Sequence, residues 1–153
     1  MRSVLLAVFA LTVVGALRTP VARAQSEEDA TAIRAAALDY IEGWYGGDAE
    51  RMSRALHPAL VKRIVAVNPE TGEAFIDDMG AGKLVAGTRA AYGRQTPEDQ
   101  RRTEVTIFEV FGNAASAKID AGGWIDYLHL AKIDGRWTIV NVLWELRVPL
   151  EPS

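Results

Sequence analysis

The chain has 153 residues, with 20 acids against 17 bases and no cysteine. The acidic balance argues against nucleic acid and anionic lipid as partners. Without cysteine there are no disulfides, thiolate metal sites or thiol nucleophiles, so the fold rests on packing alone.

Residues 1–24 read as a removable leader. Met1-Arg2 is a short positive start, and Val4 to Leu17 is an apolar run of 14 residues without a charge. Ala22-Arg23-Ala24 then offers a small-x-small cleavage site before Gln25. That order is the signature of a secretory signal peptide, and the run is too short to span a bilayer. An uncleaved anchor is the alternative, favoured by Arg18 and Arg23. The expected product is a single domain over 25–153, exported to the periplasm or beyond, with no membrane attachment after cleavage. Three of the 17 bases precede residue 25 and all 20 acids follow it, so the mature net charge is −6.

Over 27–45, Ala30, Ile33, Ala37, Tyr40, Ile41 and Trp44 recur at spacings of three and four, the stripe of an amphipathic helix. Gly46-Gly47 ends it. Asp48 is placed to cap a second short helix over about 48–56, carrying Met52, Ala55 and Leu56. Pro58 suits the first turn of a third helix over about 58–66, with Leu60, Ile64 and Val65 inward and Lys62-Arg63 on its solvated face, or else meeting an anionic ligand. Asn68 to Gly72 is a turn. In the less patterned middle, Phe75-Ile76 reads as a short strand, and Leu84, Thr88 and Ala91 mark a helix within 83–94. Thr96-Pro97-Glu98 is a helix start or a turn.

Residues 103–111, 114–121, 124–133 and 136–148 are rich in β-branched and aromatic side chains and read as strands. Gly112-Asn113, Gly122-Gly123 and Asp134-Gly135 separate them, each a two-residue hairpin signal. Four strands with tight turns predict an antiparallel meander. Helices placed ahead of it predict an α+β domain with the helices on one sheet face.

Asp126 is the anomaly, an acid inside an apolar strand. With Asp134-Gly135 as a two-residue turn, Asp126 is expected opposite Leu143, sharing a face with Trp124, Leu128, Asn141 and Glu145. A one-residue slip would change that set. A carboxylate among these residues is expected to be desolvated and to favour its neutral form, which can donate a hydrogen bond to a ligand oxygen. The alternative is a structural acid that accepts bonds and orients the sheet. Both sheet faces are largely apolar, and one layer of helices covers only one of them. A homodimer through the sheet is therefore expected.

"ALDYIEGWYGGDAERMSRALHP" followed by "WIDYLHLAKIDGRWTIVNVLWE" resembles the nuclear transport factor 2-like superfamily. Within it the likeness is to the group labelled "putative lumazine-binding", beside the SnoaL-like polyketide cyclases. It covers about 27–148 and implies a cystatin-like cone, three N-terminal helices packed on a curved antiparallel sheet with a pocket between them. Ketosteroid isomerase is similar in two places, Tyr40 placed eight residues before Asp48, and Ile125-Asp126-Tyr127. The resemblance implies Tyr40 and Asp126 as joint donors to a substrate oxyanion. The stretch matching that enzyme's general base, Leu60 to Asn68, holds only basic and apolar residues until its closing Asn68, so isomerisation by that route is not implied.

His57, before Pro58, is either a general base at the pocket mouth or a helix cap. His129 falls on the face away from Asp126. Two histidines in separate segments give no metal-ligand spacing, and no cofactor is expected. Trp44 and Tyr40 lie one turn apart and suit an aromatic slot or plain core. The leading expectation is an exported protein binding a small apolar or aromatic molecule, with Trp124, Asp126, Leu128 and Asn141 as floor and Tyr40 and Trp44 as roof. The alternatives are an acid/base lyase or isomerase in the same pocket, with His57 or Glu145 moving the proton, and a protein-interaction module using the sheet face.

Overall fold

A computed structural model of the chain describes residues 20–147, with side chains from Ser26 to Arg147. The leader expected over 1–24 lies outside the described residues apart from 20–24, whose backbone begins the first helix. Helix α1 (Pro20–Gly46) carries the expected stripe, and Ile33, Ala37, Tyr40 and Ile41 are buried. Asp48 caps α2 (Ala49–Ala55) as its position predicts, accepting from the amides of Glu50 and Arg51 at 3.1 and 2.9 Å. Arg51 then ties α2 back to α1 through Asp39 and Glu42.

The segment expected as a third helix is instead a strand, β1 (Leu56–Val67). Its β-branched run Val61, Ile64, Val65 and Val67 favours extended backbone. Burial has period two, with Leu60 and Lys62 inside and Val65 outside. Pro58 does not start a helix. It sits where the pairing of β1 with its neighbour shifts between Leu56 and Val61, and there the missing N–H costs no ladder bond. The turn at Asn68 leads into β2 (Ala74–Gly80), and the third helix is α3 (Ala81–Arg89), with Leu84 and Thr88 buried. Single 3-10 turns at Tyr92–Gln95 and Glu98–Gln100 follow.

The remaining strands are β3 (Glu104–Phe111), β4 (Ala114–Asp120), β5 (Trp124–Ile133) and β6 (Arg136–Leu146), close to the expected bounds. They form the antiparallel meander. The whole sheet has six strands in the order β2-β1-β6-β5-β4-β3, and β1 lies parallel to β6. The sheet is therefore mixed, not antiparallel throughout, because β1 runs in the same direction as its neighbour β6. The architecture is α+β, three helices on the inner face of a curved sheet. Helix α1 crosses that face and is pinned near both ends. Asp29 accepts from Lys132 at 2.7 Å and Trp137 at 2.9 Å, and the Tyr45 hydroxyl donates to the carbonyl of Ala121 at 2.8 Å.

The β5–β6 turn forms as predicted, with Ile133 opposite Arg136 and positive φ at both Asp134 (50°) and Gly135 (78°). The register that follows does not hold. It runs true as far as Leu130 opposite Ile139, and then Val140 enters β6 as an extra residue, so His129 pairs with Asn141 and Asp126 with Trp144. Such a bulge shifts every later residue of one strand to the other face. Trp144 joins Asp126 inside, while Asn141, Leu143 and Glu145 turn outward.

Gly93 makes the tightest backbone approach: a Cβ there would lie 2.2 Å from the carbonyl oxygen of Trp44. Gly93→Ala is expected to cost about 1–3 kcal/mol through forced displacement of α1. Gly82→Ala, in open space within α3, is expected to gain about 0.5–1 kcal/mol. Urea melts of the two variants check the contrast.

Candidate functional site

The alternation of β1 points Lys62 inward, and the parallel pairing with β6 sets it beside Val142. From there its side chain runs over the Trp144 ring, with Nζ 4.7 Å from the ring centre, to reach Asp126 on β5. Nζ donates to Asp126 Oδ1 at 2.5 Å and to Tyr40 Oη at 2.6 Å. Trp124 Nε1 donates to the second carboxylate oxygen at 2.8 Å. Asp126 is wholly buried and the Lys62 side chain is 8 % exposed. Two buried charges so placed are tolerable only as a pair with their remaining hydrogen-bonding capacity satisfied.

Tyr40 completes the cluster. Its hydroxyl accepts from Lys62, and its own proton is held by burial and then by the negative charge of Asp126, which together push its ionisation well above the ordinary phenol range. Both Asp126 oxygens are thus engaged within the protein, and the acid is an acceptor, not the free neutral donor expected from the strand pattern.

A cavity of about 300 Å³ opens beside this cluster, at the small end of the range for small-molecule sites. Lys62, Tyr40, Trp124 and Trp144 form its polar end, and Ile41, Trp44, Met79 and Leu84 its apolar walls. Tyr92, Thr96 and Leu146 stand at its mouth, Tyr92 and Leu146 being exposed. Among the described residues no carboxylate and no histidine lines it.

Of the residues singled out in the sequence, Tyr40, Trp44 and Trp124 line the cavity. Asp126 and Leu128 share its face of the sheet but are buried behind the lining. Asn141 and Glu145 lie on the outer face, removed from the cavity by the bulge at Val140. Asn141 bonds Arg63 at 2.7 Å and faces His129 at 3.3 Å. Glu145 is exposed and accepts from the Leu146 amide. His57 stays outside the cavity, its Nδ1 accepting from the Ala59 amide at 3.1 Å, which is a local cap at the start of β1 and not at a helix. Lys62 is the residue that the sequence reading assigned to a solvated face. Read as a strand, 60–64 alternates Leu60, Lys62, Ile64 inward, and that period is the signal that would have found it. Among the described residues no group of three or more His, Asp or Glu side chains could hold a metal ion.

Helices on a curved mixed sheet with a cavity between them define the nuclear transport factor 2-like class, and solved structures of that class superpose on this chain. An NTF2-like protein of unknown function from Shewanella baltica is 22% identical, covering 83% of this chain and 97% of its own, with a TM-score of 0.60. An NTF2-like protein with a cystatin-like fold from Novosphingobium aromaticivorans is 18% identical, covering 92% and 94%, with a TM-score of 0.64. At such identities the likeness is one of fold. The chain belongs to the family described as "Putative lumazine-binding", which matches residues 28–145. Among curated proteins none matches it.

Lys62→Met leaves the Asp126 carboxylate buried without its counter-charge and is expected to cost about 3–5 kcal/mol. The double change Lys62→Met with Asp126→Asn removes both charges and is expected to recover most of that loss. A double-mutant cycle by chemical denaturation measures both. Tyr40 gives a pH signature. Its raised folded-state ionisation leaves its contribution intact below the unfolded phenol value of about 10, and stability falls as pH rises beyond it. Tyr40→Phe is expected to flatten that alkaline loss and to remove phenolate absorbance that appears only well above pH 10.

Proposed function

We propose that this is an exported protein that binds a small apolar or aromatic molecule in the cavity between helices and sheet. The observation that carries the reading is the composition of the cavity: aromatic and aliphatic walls closing on one fixed polar end at Lys62. Pockets of that kind hold a ligand by area and orient it by a few convergent polar groups. The family description supports a ligand-binding protein of this superfamily. Among the described residues no carboxylate or histidine lies in the lining, which favours binding over acid/base turnover, since that needs a proton acceptor within reach of the ligand. The leader pattern of residues 1–24 supports export.

A homodimer through the outer sheet face belongs to the same proposal. Ile76, Val65, Leu143 and Tyr127 are each about half exposed on adjacent strands of that face. Arg63 and Glu145 flank this apolar row with opposite charges, an arrangement that a twofold axis makes self-complementary.

Native mass spectrometry of the protein recovered from an exporting host, without harsh washing, tests the three parts together. The expected species is a dimer with Gln25 at its N-terminus and a bound small mass, lost in a Leu84→Trp variant whose larger ring fills the cavity. A bare monomer that retains residues 1–24 would sink the proposal.

A further inference from the structure

The polar end of the cavity is already charge-balanced, and its hydrogen-bonding capacity is almost spent. Asp126 Oδ1 accepts from Lys62, Oδ2 accepts from Trp124, and the Tyr40 hydroxyl accepts from Lys62 while its proton serves Asp126. One donor is left over. An ammonium carries three N–H groups, and two of those on Lys62 meet protein oxygens. The third has no oxygen or nitrogen acceptor among the described residues, and Nζ otherwise meets only ring faces, Trp144 at 4.7 Å and Tyr40 at 5.4 Å. Lys62 lines the cavity, so an acceptor on a bound ligand can take this N–H.

We infer that the ligand is a neutral ring compound with one carbonyl oxygen at its inner end, accepting from Lys62. The inference rests on the binding reading above and gives its ligand a chemical class. Neutrality follows from the pairing. The Lys62 charge is already met by Asp126, which is wholly buried. A carboxylate ligand would bring a second negative charge to the same largely buried ammonium, leaving a net charge without a partner. A carbonyl satisfies the N–H and adds no charge. A purely apolar ligand would displace solvent from that N–H and leave it unmet, a costly outcome. Flat rings suit the walls, since Trp44, Trp124 and Trp144 supply faces and edges for stacking. Asp126 is then a positioning residue. It touches no ligand and holds Lys62 against the Trp144 ring with its free N–H toward the cavity.

Three naphthalene probes of one shape separate the possibilities: 2-acetylnaphthalene, 2-ethylnaphthalene and 2-naphthoate, titrated into the mature protein by tryptophan fluorescence and calorimetry. The acetyl compound is expected to bind about tenfold or more tighter than the ethyl one, the worth of a hydrogen bond to a charged donor, and tighter than the carboxylate. In Lys62→Met with Asp126→Asn, which removes both buried charges together, the acetyl-to-ethyl ratio is expected to fall to near one. A thermal melt confirms that the variant is folded, and the wild-type series stands by itself if it is not. Equal binding of acetyl and ethyl probes to the wild type would overturn the carbonyl inference and leave the pocket reading in place. Tightest binding of the carboxylate would overturn neutrality. Failure of all three to bind would overturn the pocket reading and this inference with it.

Discussion

The buried ion pair between Lys62 and Asp126 is the constraint around which the rest of the structure is arranged. It joins β1 to β5 across the inner face of β6, and through Tyr40 it fixes the middle of α1 to both. Withdrawing two charges from water costs several kcal/mol per ion even after relaxation, and the mutual attraction roughly offsets that only when geometry and hydrogen bonding are good. Net stability is therefore a weak reason for such a pair, since well-packed apolar residues hold a core at least as firmly. Its position at the closed end of a cavity is a stronger reason. Asp126, Trp124 and Tyr40 hold one ammonium in place, and among the described residues that ammonium is the cationic group in the lining.

Two backbone features make the pair possible. The first is the parallel alignment of β1 with β6, which brings a lysine near the N-terminal half of the domain beside a strand at its end. The second is the extra residue at Val140. Without it, Leu143 would stand opposite Asp126, and Trp144 would lie on the outer face. With it, the indole surface packs beneath the Lys62 ammonium, where a cation gains from the ring face. The same shift carries Asn141 and Glu145 outward, to a face where Asn141 bonds Arg63 and Glu145 meets solvent. One residue of bulge thus sorts the contents of both faces.

The fold leaves function open, since solved relatives with the same architecture are themselves of unknown function. The chemistry here resides in the particular side chains of this cavity. Tyr40 and Asp126, which the likeness to ketosteroid isomerase paired as donors to an oxyanion, do meet. They meet as acceptors around a lysine, so their combined effect is to present a cation and not a pair of acidic protons. The familiar positions thus serve a different end.

The sequence by itself determined what short-range patterns carry. These are the apolar stripe of α1, the Asp48 cap, the four strands of the meander with their Gly-containing turns, and the anomaly of Asp126, and they followed from spacing and turn chemistry. It misplaced β1, because Pro58 and a run of mixed apolar and basic residues fit a helical start as well as a twisted strand. It also misplaced Asn141 and Glu145, because a bulge leaves no mark in the alternation of a strand whose two faces are both apolar. Only the tertiary structure decided that Lys62 is buried, that it meets Asp126 sixty-four residues away, and that this meeting closes a cavity. A contact at that separation depends on which strands become neighbours, and strand neighbourhood is set by the packing of the whole domain, not by any local run of residues.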